Sequence, residues 1–228
     1  LKAYLAAALP ETRVEALHAY LFVAAELGYE RYGPVSERSW LAEIPYAALL
    51  YPGQEEALER LWRRQRLGLR PSRDVDLEEV CRRVEEASDR YIASVDWEQH
   101  LLAGFSICLG QLTSTLYFIR RIRRNAPTLR IAAGGSACAG ALGKSLLETF
   151  PEIDFVISGE GERPLAHLVR SLVESREPVP PFPGLFTRKG GASAGPDAGR
   201  AQVASLDALP PPDYDDYFRL LASLGPEK

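Results

Sequence analysis

The stretch Ile131–Glu162, IAAGGSACAGALGKSLLETFPEIDFVISGEGE, decides the fold. It opens on a short apolar run that stops at Gly134 and Gly135. A segment of helical spacing follows, with Leu142, Leu146, Leu147 and Phe150 as its apolar positions. A second apolar run, Ile153 to Ile157, then stops in Ser158-Gly159-Glu160-Gly161-Glu162. Buried parallel strands read as short apolar runs, and in open α/β sheets the loops at their carboxyl ends form the ligand edge. The stretch therefore predicts strand, helix and strand, with two small-residue loops at one sheet edge and a large organic ligand against them.

The same pattern extends outward. Leu101–Ile107 predicts a strand, and Gly110-Gln111 turns into a helix carrying Leu112, Leu116 and Ile119. Leu129–Ala133 is the strand that opens the quoted stretch. Beyond the third strand, Leu165, Leu168, Val169, Leu172 and Val173 recur at helical spacing. Three strand–helix units with short connections predict an α/β fold, a Rossmann-like (flavodoxin-like) parallel sheet with right-handed crossovers and helices on both faces.

The flanks are less regular. Leu1–Leu9 reads as a helix ending at Pro10, Val14–Leu17 as a short strand, and Tyr20 to about Tyr32 as a helix stopping near Gly33-Pro34. A helical insertion is expected over about residues 40–95. In it Leu58, Leu61 and Trp62 form a stripe, and interleaved acidic residues make Arg60, Arg63, Arg64 and Arg66 a solvated face. After a turn at Pro71, Asp76 and Glu79 form a capping box ahead of Leu77, Val80, Cys81, Val84 and Ala87. Past Ser175, prolines interrupt regular structure, and Leu185–Thr187 with Gln202–Ala204 predict a hairpin tipped by Lys189–Arg200. Leu209–Phe218 reads as an extended connector with aromatic anchors. The organisation expected is a Rossmann-like domain over 1–176 with its helical insertion, then a Pro-rich segment, hairpin and connector over 177–228.

Composition excludes several classes. The 228 residues are 46% hydrophobic and 25% charged, as in ordinary globular proteins. A net charge of -4 gives no general attraction to nucleic acid or anionic lipid. No apolar run has the length of a membrane span and no signal peptide opens the chain, so a cytoplasmic location is expected. Cys81, Cys108 and Cys138 are widely spaced, which is neither a disulfide framework nor metal-ligand spacing. The chain begins at Leu1 and has no methionine, so it is expected to be a fragment of a longer protein.

The candidate residues lie at the three strand ends. Gly134-Gly135-Ser136 allows close approach of a ligand to backbone, though a plain strand-to-helix turn uses glycine equally well. It matches neither the phosphate loop nor the dinucleotide fingerprint. In Ser158-Gly159-Glu160-Gly161-Glu162, capping of the next helix accounts for one glutamate, and two glycines around Glu160 ask for more than a cap. In Ser106-Ile107-Cys108-Leu109-Gly110-Gln111, Gln111 offers an amide at the same edge, and Cys108 reads as a small buried filler. His18, His100 and His167 are scattered. No catalytic residue and no metal ligand set emerges.

Three segments, GFSICLGQLTSTLYFIRRIR (104–123), the quoted stretch, and LDALPPPDYDDYF (206–218), resemble in that order the N-terminal half of cobalamin-dependent radical SAM proteins. The likeness is to the subgroup that matures ribosomally made peptides, often as C-methyltransferases. It covers roughly Leu101–Phe218 and only loosely the region before Asp96. The resemblance implies a Rossmann-like domain with cobalamin on the carboxyl edge of its strands. It implicates Ser106, Leu109, Gln111, Gly134, Gly135, Ser136, Ser158, Gly159, Glu160, Gly161 and Glu162 in holding it. It further implies a parent enzyme with a 4Fe-4S cluster, S-adenosylmethionine and a peptide substrate. No Asp-x-His-x-x-Gly motif is present, so a histidine ligand to cobalt is not expected, and the Cys-x-x-x-Cys-x-x-Cys cluster motif is absent from this chain. The alternatives are a non-catalytic Rossmann-like module that binds a peptide or partner, and a nucleotide-binding domain of another α/β enzyme.

Overall fold

A computed structural model describes residues 1–66, 76–188, 191–192, 201–203 and 205–225. In chain order the helices are α1 (Lys2–Ala8), α2 (Ala19–Leu27), α3 (Tyr29–Ser36), α4 (Ser39–Leu50), α5 (Glu55–Arg66), α6 (Leu77–Ala93), α7 (Leu112–Asn125), α8 (Ala141–Thr149), α9 (Glu162–Val173) and α10 (Asp215–Leu224). The strands are β1 (Leu102–Ser106), β2 (Arg130–Gly134), β3 (Phe155–Ile157), β4 (Leu185–Thr187) and β5 (Gly191–Ala192). The succession β1-α7-β2-α8-β3-α9 makes the chain a Rossmann-like α/β protein. It divides into an α/β unit (1–16, 97–108, 125–214) and a helical unit (17–96, 109–124, 215–228).

In the α/β unit the strands lie in the order β1-β2-β3-β4-β5. The first three are parallel, with Ser106 opposite Gly134 and Ala133 opposite Val156. Their apolar runs are buried as such runs require: Ile131, Ala132, Ala133, Phe155, Val156 and Ile157 are all inside. Burying one large aliphatic side chain of this kind stabilises the fold by about 2 kcal/mol. One face of α9 completes the core, where Leu168 and Leu172 meet Phe155, Ile157, Val179 and Leu185. Val173, the last member of the predicted stripe, is exposed instead.

Two expectations for this unit need correction. Val14–Leu17 forms no strand; Glu15 and Leu17 are exposed, and Glu15 faces His100 Nε2 at 3.5 Å. The partner of β4 is Gly191–Ala192, in antiparallel register, and not the segment from Gln202. Ala201 pairs instead in parallel with Gly159, just past the end of β3. Ala204 and most of the expected hairpin tip fall outside the described residues, as does the Pro71 turn.

The helical unit reaches further along the chain than 40–95. Its core holds Leu41, Ile44, Trp62, Val80, Val84, Ala87, Ile92, Leu116, Ile119 and Ile122. Asp76 caps α6 by accepting from the Glu79 N–H at 3.2 Å, as expected. The arginines of α5 form the solvated face, Arg60 with Glu56 and Arg63 with Glu59 one turn away. Tyr46 and Ser88 share a buried hydrogen bond of 2.8 Å, and burial raises the Tyr46 phenol well above its ordinary range. Gly28 splits the helix expected to run to Tyr32, and α3 continues through Gly33 and Pro34 to Ser36. The connector is also shorter than expected. Asp215 and Asp216 sit in the first turn of α10, where acidic side chains favour a helix start.

Candidate functional site at the carboxyl ends of the parallel strands

The parallel register brings the ends of β1, β2 and β3 side by side at one edge. Strand order runs through the sheet without reversing, so the crevice that a reversal opens is absent among the described strands. What remains is a row of loops, and each can be read atom by atom.

The β2 loop is shaped by its own chain. Gly135 has φ +102, and a Cβ there would lie 2.6 Å from the Ile107 carbonyl oxygen and 2.9 Å from its nitrogen. The Ile107 N–H donates to the Gly134 carbonyl at 2.7 Å, and the Ala137 N–H donates to the Ile107 carbonyl at 3.0 Å. Close backbone packing therefore requires glycine at 135, independently of any ligand. Gly134 is half-buried with ordinary room, its absent Cβ lying 3.7 Å from Ile157. Ser106 and Ser136 are both exposed.

The β3 loop is largely occupied. Ser158 is fully buried, and its Oγ accepts from the Gly140 N–H at 3.0 Å. Its N–H donates to the Gly184 carbonyl at 2.8 Å. The Glu160 N–H donates to Ala201 at 2.9 Å, and the Glu160 carboxylate accepts from the Val203 N–H. Residues 201–203 thus form a strap along this loop. Gly184 allows it, since a Cβ there would lie 2.6 Å from Ser158 O and 2.9 Å from Ala201 N. Gly159 is exposed, Gly161 precedes α9, and Glu162 sits in its first turn, where the helix dipole favours an acid.

Leu109 and Gln111 belong to the helical unit. Both are exposed, Leu109 to 82%. Just beyond them, Glu43 takes the start of α7: its carboxylate accepts from the Leu112 N–H at 3.0 Å and the Thr113 N–H at 2.7 Å. The Thr113 hydroxyl adds a third bond to it at 2.6 Å. A helix start after the first strand is where a dinucleotide places its pyrophosphate. Here a protein carboxylate fills that position. Glu43 is about 70 residues away in sequence, so no local motif could have revealed it.

None of the histidines lies on the strand-end loops. His167 Nε2 meets the Pro180 carbonyl at 2.9 Å and its ring stacks on Phe182 at 4.6 Å. His18 packs edge-on to Tyr217 at 5.4 Å. Among the described residues no three potential metal ligands cluster. Cys108 is exposed, not the buried filler expected, because the chain leaves the sheet after Ile107. Cys138 is the buried cysteine, and burial first, then the neighbouring Cys108, pushes its thiol up to about 11. A cleft of about 470 Å³ lies at the opposite ends of the strands, among Trp97, Leu101, Leu129, Arg130 and Leu172.

Exposed hydroxyls at Ser106 and Ser136 and exposed backbone at Gly159 can meet amide and phosphate groups. The side chains of Ser158 and Glu160 are committed to the protein itself. A comparison with known families, curated proteins and solved structures finds no match to this chain. No helix among the described residues is long and apolar enough to cross a membrane.

Proposed function

We propose that the α/β unit binds cobalamin on the carboxyl ends of β1, β2 and β3, as part of a radical SAM enzyme that methylates a ribosomally made peptide at carbon. The observation that carries the reading is the presence of Ser106, Gly134, Ser136 and Gly159 at the carboxyl ends of adjacent parallel strands, all small, with Ser106, Ser136 and Gly159 exposed. The Glu43 carboxylate at α7 speaks against the nucleotide alternative, because a phosphate there would meet a like charge. When bound, methylcobalamin supplies the methyl group. This chain's part is to hold and orient: Ser106 and Ser136 by hydrogen bonds, Gly134 and Gly159 by backbone contact, and Gly135 by keeping the β2 loop against β1. The cluster, S-adenosylmethionine and peptide would be held by other parts of the parent enzyme, in the cytoplasm.

The test is retention of hydroxocobalamin after reconstitution and desalting, read from the visible corrin bands. Near-stoichiometric retention is expected. Ser106→Phe and Ser136→Phe, both at exposed positions, should keep the far-UV circular dichroism and lose the corrin bands. Retention unaffected by either substitution, or no retention by the parent chain, rejects the reading.

A second reading is favoured by the helical unit, where Trp40 and Leu109 are 70% and 82% exposed. Apolar side chains so exposed suit a peptide or protein partner. Peptide binding that survives in Ser106→Phe and disappears in Trp40→Ala would support it.

A further inference from the structure

Cys108 and Cys138, 30 positions apart in sequence, follow two residues that are directly bonded to each other. Cys108 comes after Ile107 and Cys138 after Ala137, and the Ala137 N–H donates to the Ile107 carbonyl at 3.0 Å. Gly135 tightens the contact, since its absent Cβ would lie 2.6 Å from the same oxygen. The Cys138 N–H is held in turn by the Gly135 carbonyl at 2.9 Å. The residues just before the two cysteines are therefore in direct backbone contact, and the Cys138 thiol lies close enough to feel the Cys108 thiol, the kind of closeness a disulfide needs. One thiol is exposed and the other buried, so a reagent from solution reaches Cys108 first. The third cysteine, Cys81, is elsewhere: it belongs to the helical unit and its Sγ lies 3.5 Å from the Pro45 carbonyl.

We infer that Cys108 and Cys138 form a thiol–disulfide exchange site that takes a low-molecular-weight disulfide such as glutathione disulfide and closes to an intramolecular bridge between the β1 and β2 loops. The Cys108 thiolate attacks one sulfur of glutathione disulfide and releases one glutathione thiolate, leaving a mixed disulfide on Cys108. Cys138 loses its proton to solvent, and its sulfur attacks the Cys108 sulfur and releases the second glutathione. The balance is one protein dithiol oxidised and one glutathione disulfide reduced to two thiols. Because burial holds the Cys138 proton, the second step accelerates as pH rises toward the Cys138 range. The bridge does not depend on the cobalamin reading, because it needs only the two loops.

The experiment treats the chain carrying Cys81→Ser with glutathione disulfide at mildly alkaline pH and follows intact mass and non-reducing peptide maps. The expected product has lost two hydrogens and yields a single crosslinked peptide joining Cys108 and Cys138. Adding Cys138→Ser should arrest the reaction at the glutathione adduct on Cys108, and adding Cys108→Ser should leave the protein unmodified. Overturning results would be an adduct on Cys108 that persists while Cys138 is present, or a crosslink found only between two molecules. Circular dichroism of each variant before treatment separates a failure of chemistry from a failure to fold.

Discussion

Replacing Gly135 with alanine tests whether the β2 loop is held by its own backbone. At φ +102 and ψ -177 an L-residue costs about 1–3 kcal/mol. Its Cβ would sit 2.6 Å from the Ile107 carbonyl oxygen, so the loop must move and stretch the Ala137–Ile107 hydrogen bond. Losing that bond costs about 1 kcal/mol more. The sum is about 3 kcal/mol, or about 150-fold in a local opening equilibrium. Gly134→Ala is the control, since its Cβ would meet Ile157 at an ordinary 3.7 Å. Native-state hydrogen exchange at the Ile107 and Ala137 amides reads the effect directly. Both amides should exchange about two orders of magnitude faster in Gly135→Ala and near the parent rate in Gly134→Ala. If Gly135→Ala exchanges within about threefold of the parent, less than 1 kcal/mol, the backbone contact is not what requires glycine there.

Four further outcomes follow from other parts of the molecule. Gly143→Ala should destabilise despite a helix propensity gain of about 1 kcal/mol, because its Cβ would lie 2.3 Å from the Cys138 carbonyl oxygen; a lower thermal midpoint is the check. Glu43→Ala removes the acceptor for two N–H groups and the Thr113 hydroxyl, and should cost about 2 kcal/mol in urea unfolding followed by circular dichroism. Glu160→Ala should speed amide exchange at Val203 several-fold, for a loss of about 1 kcal/mol, while leaving Ile131 and Ala132 protected. The Cys138 thiol holds its proton more tightly when folded, so its contribution to stability is full below the ordinary 9 and is lost as pH rises through about 11. The parent chain should therefore lose more stability between those pH values than Cys138→Ala, by urea titration.

The strands were legible because each is an apolar run stopped by small residues, and every β-ladder from β1 to β3 falls within one or two residues of the run that marks it. Capping at Asp76 was legible for a similar reason, since the signal lies within four residues. The partner of β4 was not. Gly191–Ala192 is too short and too small to carry a strand signature, and it pairs only because β4 offers it an edge. Val14–Leu17 erred the other way, for Val14 alone favours a strand there and no described strand bonds to it. At the candidate site, glycine was visible but its cause was not. Gly135 serves the neighbouring Ile107 backbone and Glu160 serves Val203, contacts made between residues 28 and 43 positions apart. Spacing rules cannot see such contacts, which is why ligand and packing readings of the Gly134–Gly135 turn stood level and the loop around Glu160 read as a ligand site.

The division of the chain has a practical consequence for anyone wishing to take it apart. The path changes units after Ala16, Asp96, Cys108, Arg124 and Tyr214. No single cut can release either unit whole. A truncation before residue 97 discards the α/β unit's first helix together with most of the helical one, and a truncation after residue 214 removes α10 from the latter. In chain order α10 follows every strand of the sheet, so the helical unit's described helices are all made only after the described strands of the α/β unit. Excised pieces of this protein should therefore be judged by exchange or melting before any binding result from them is believed.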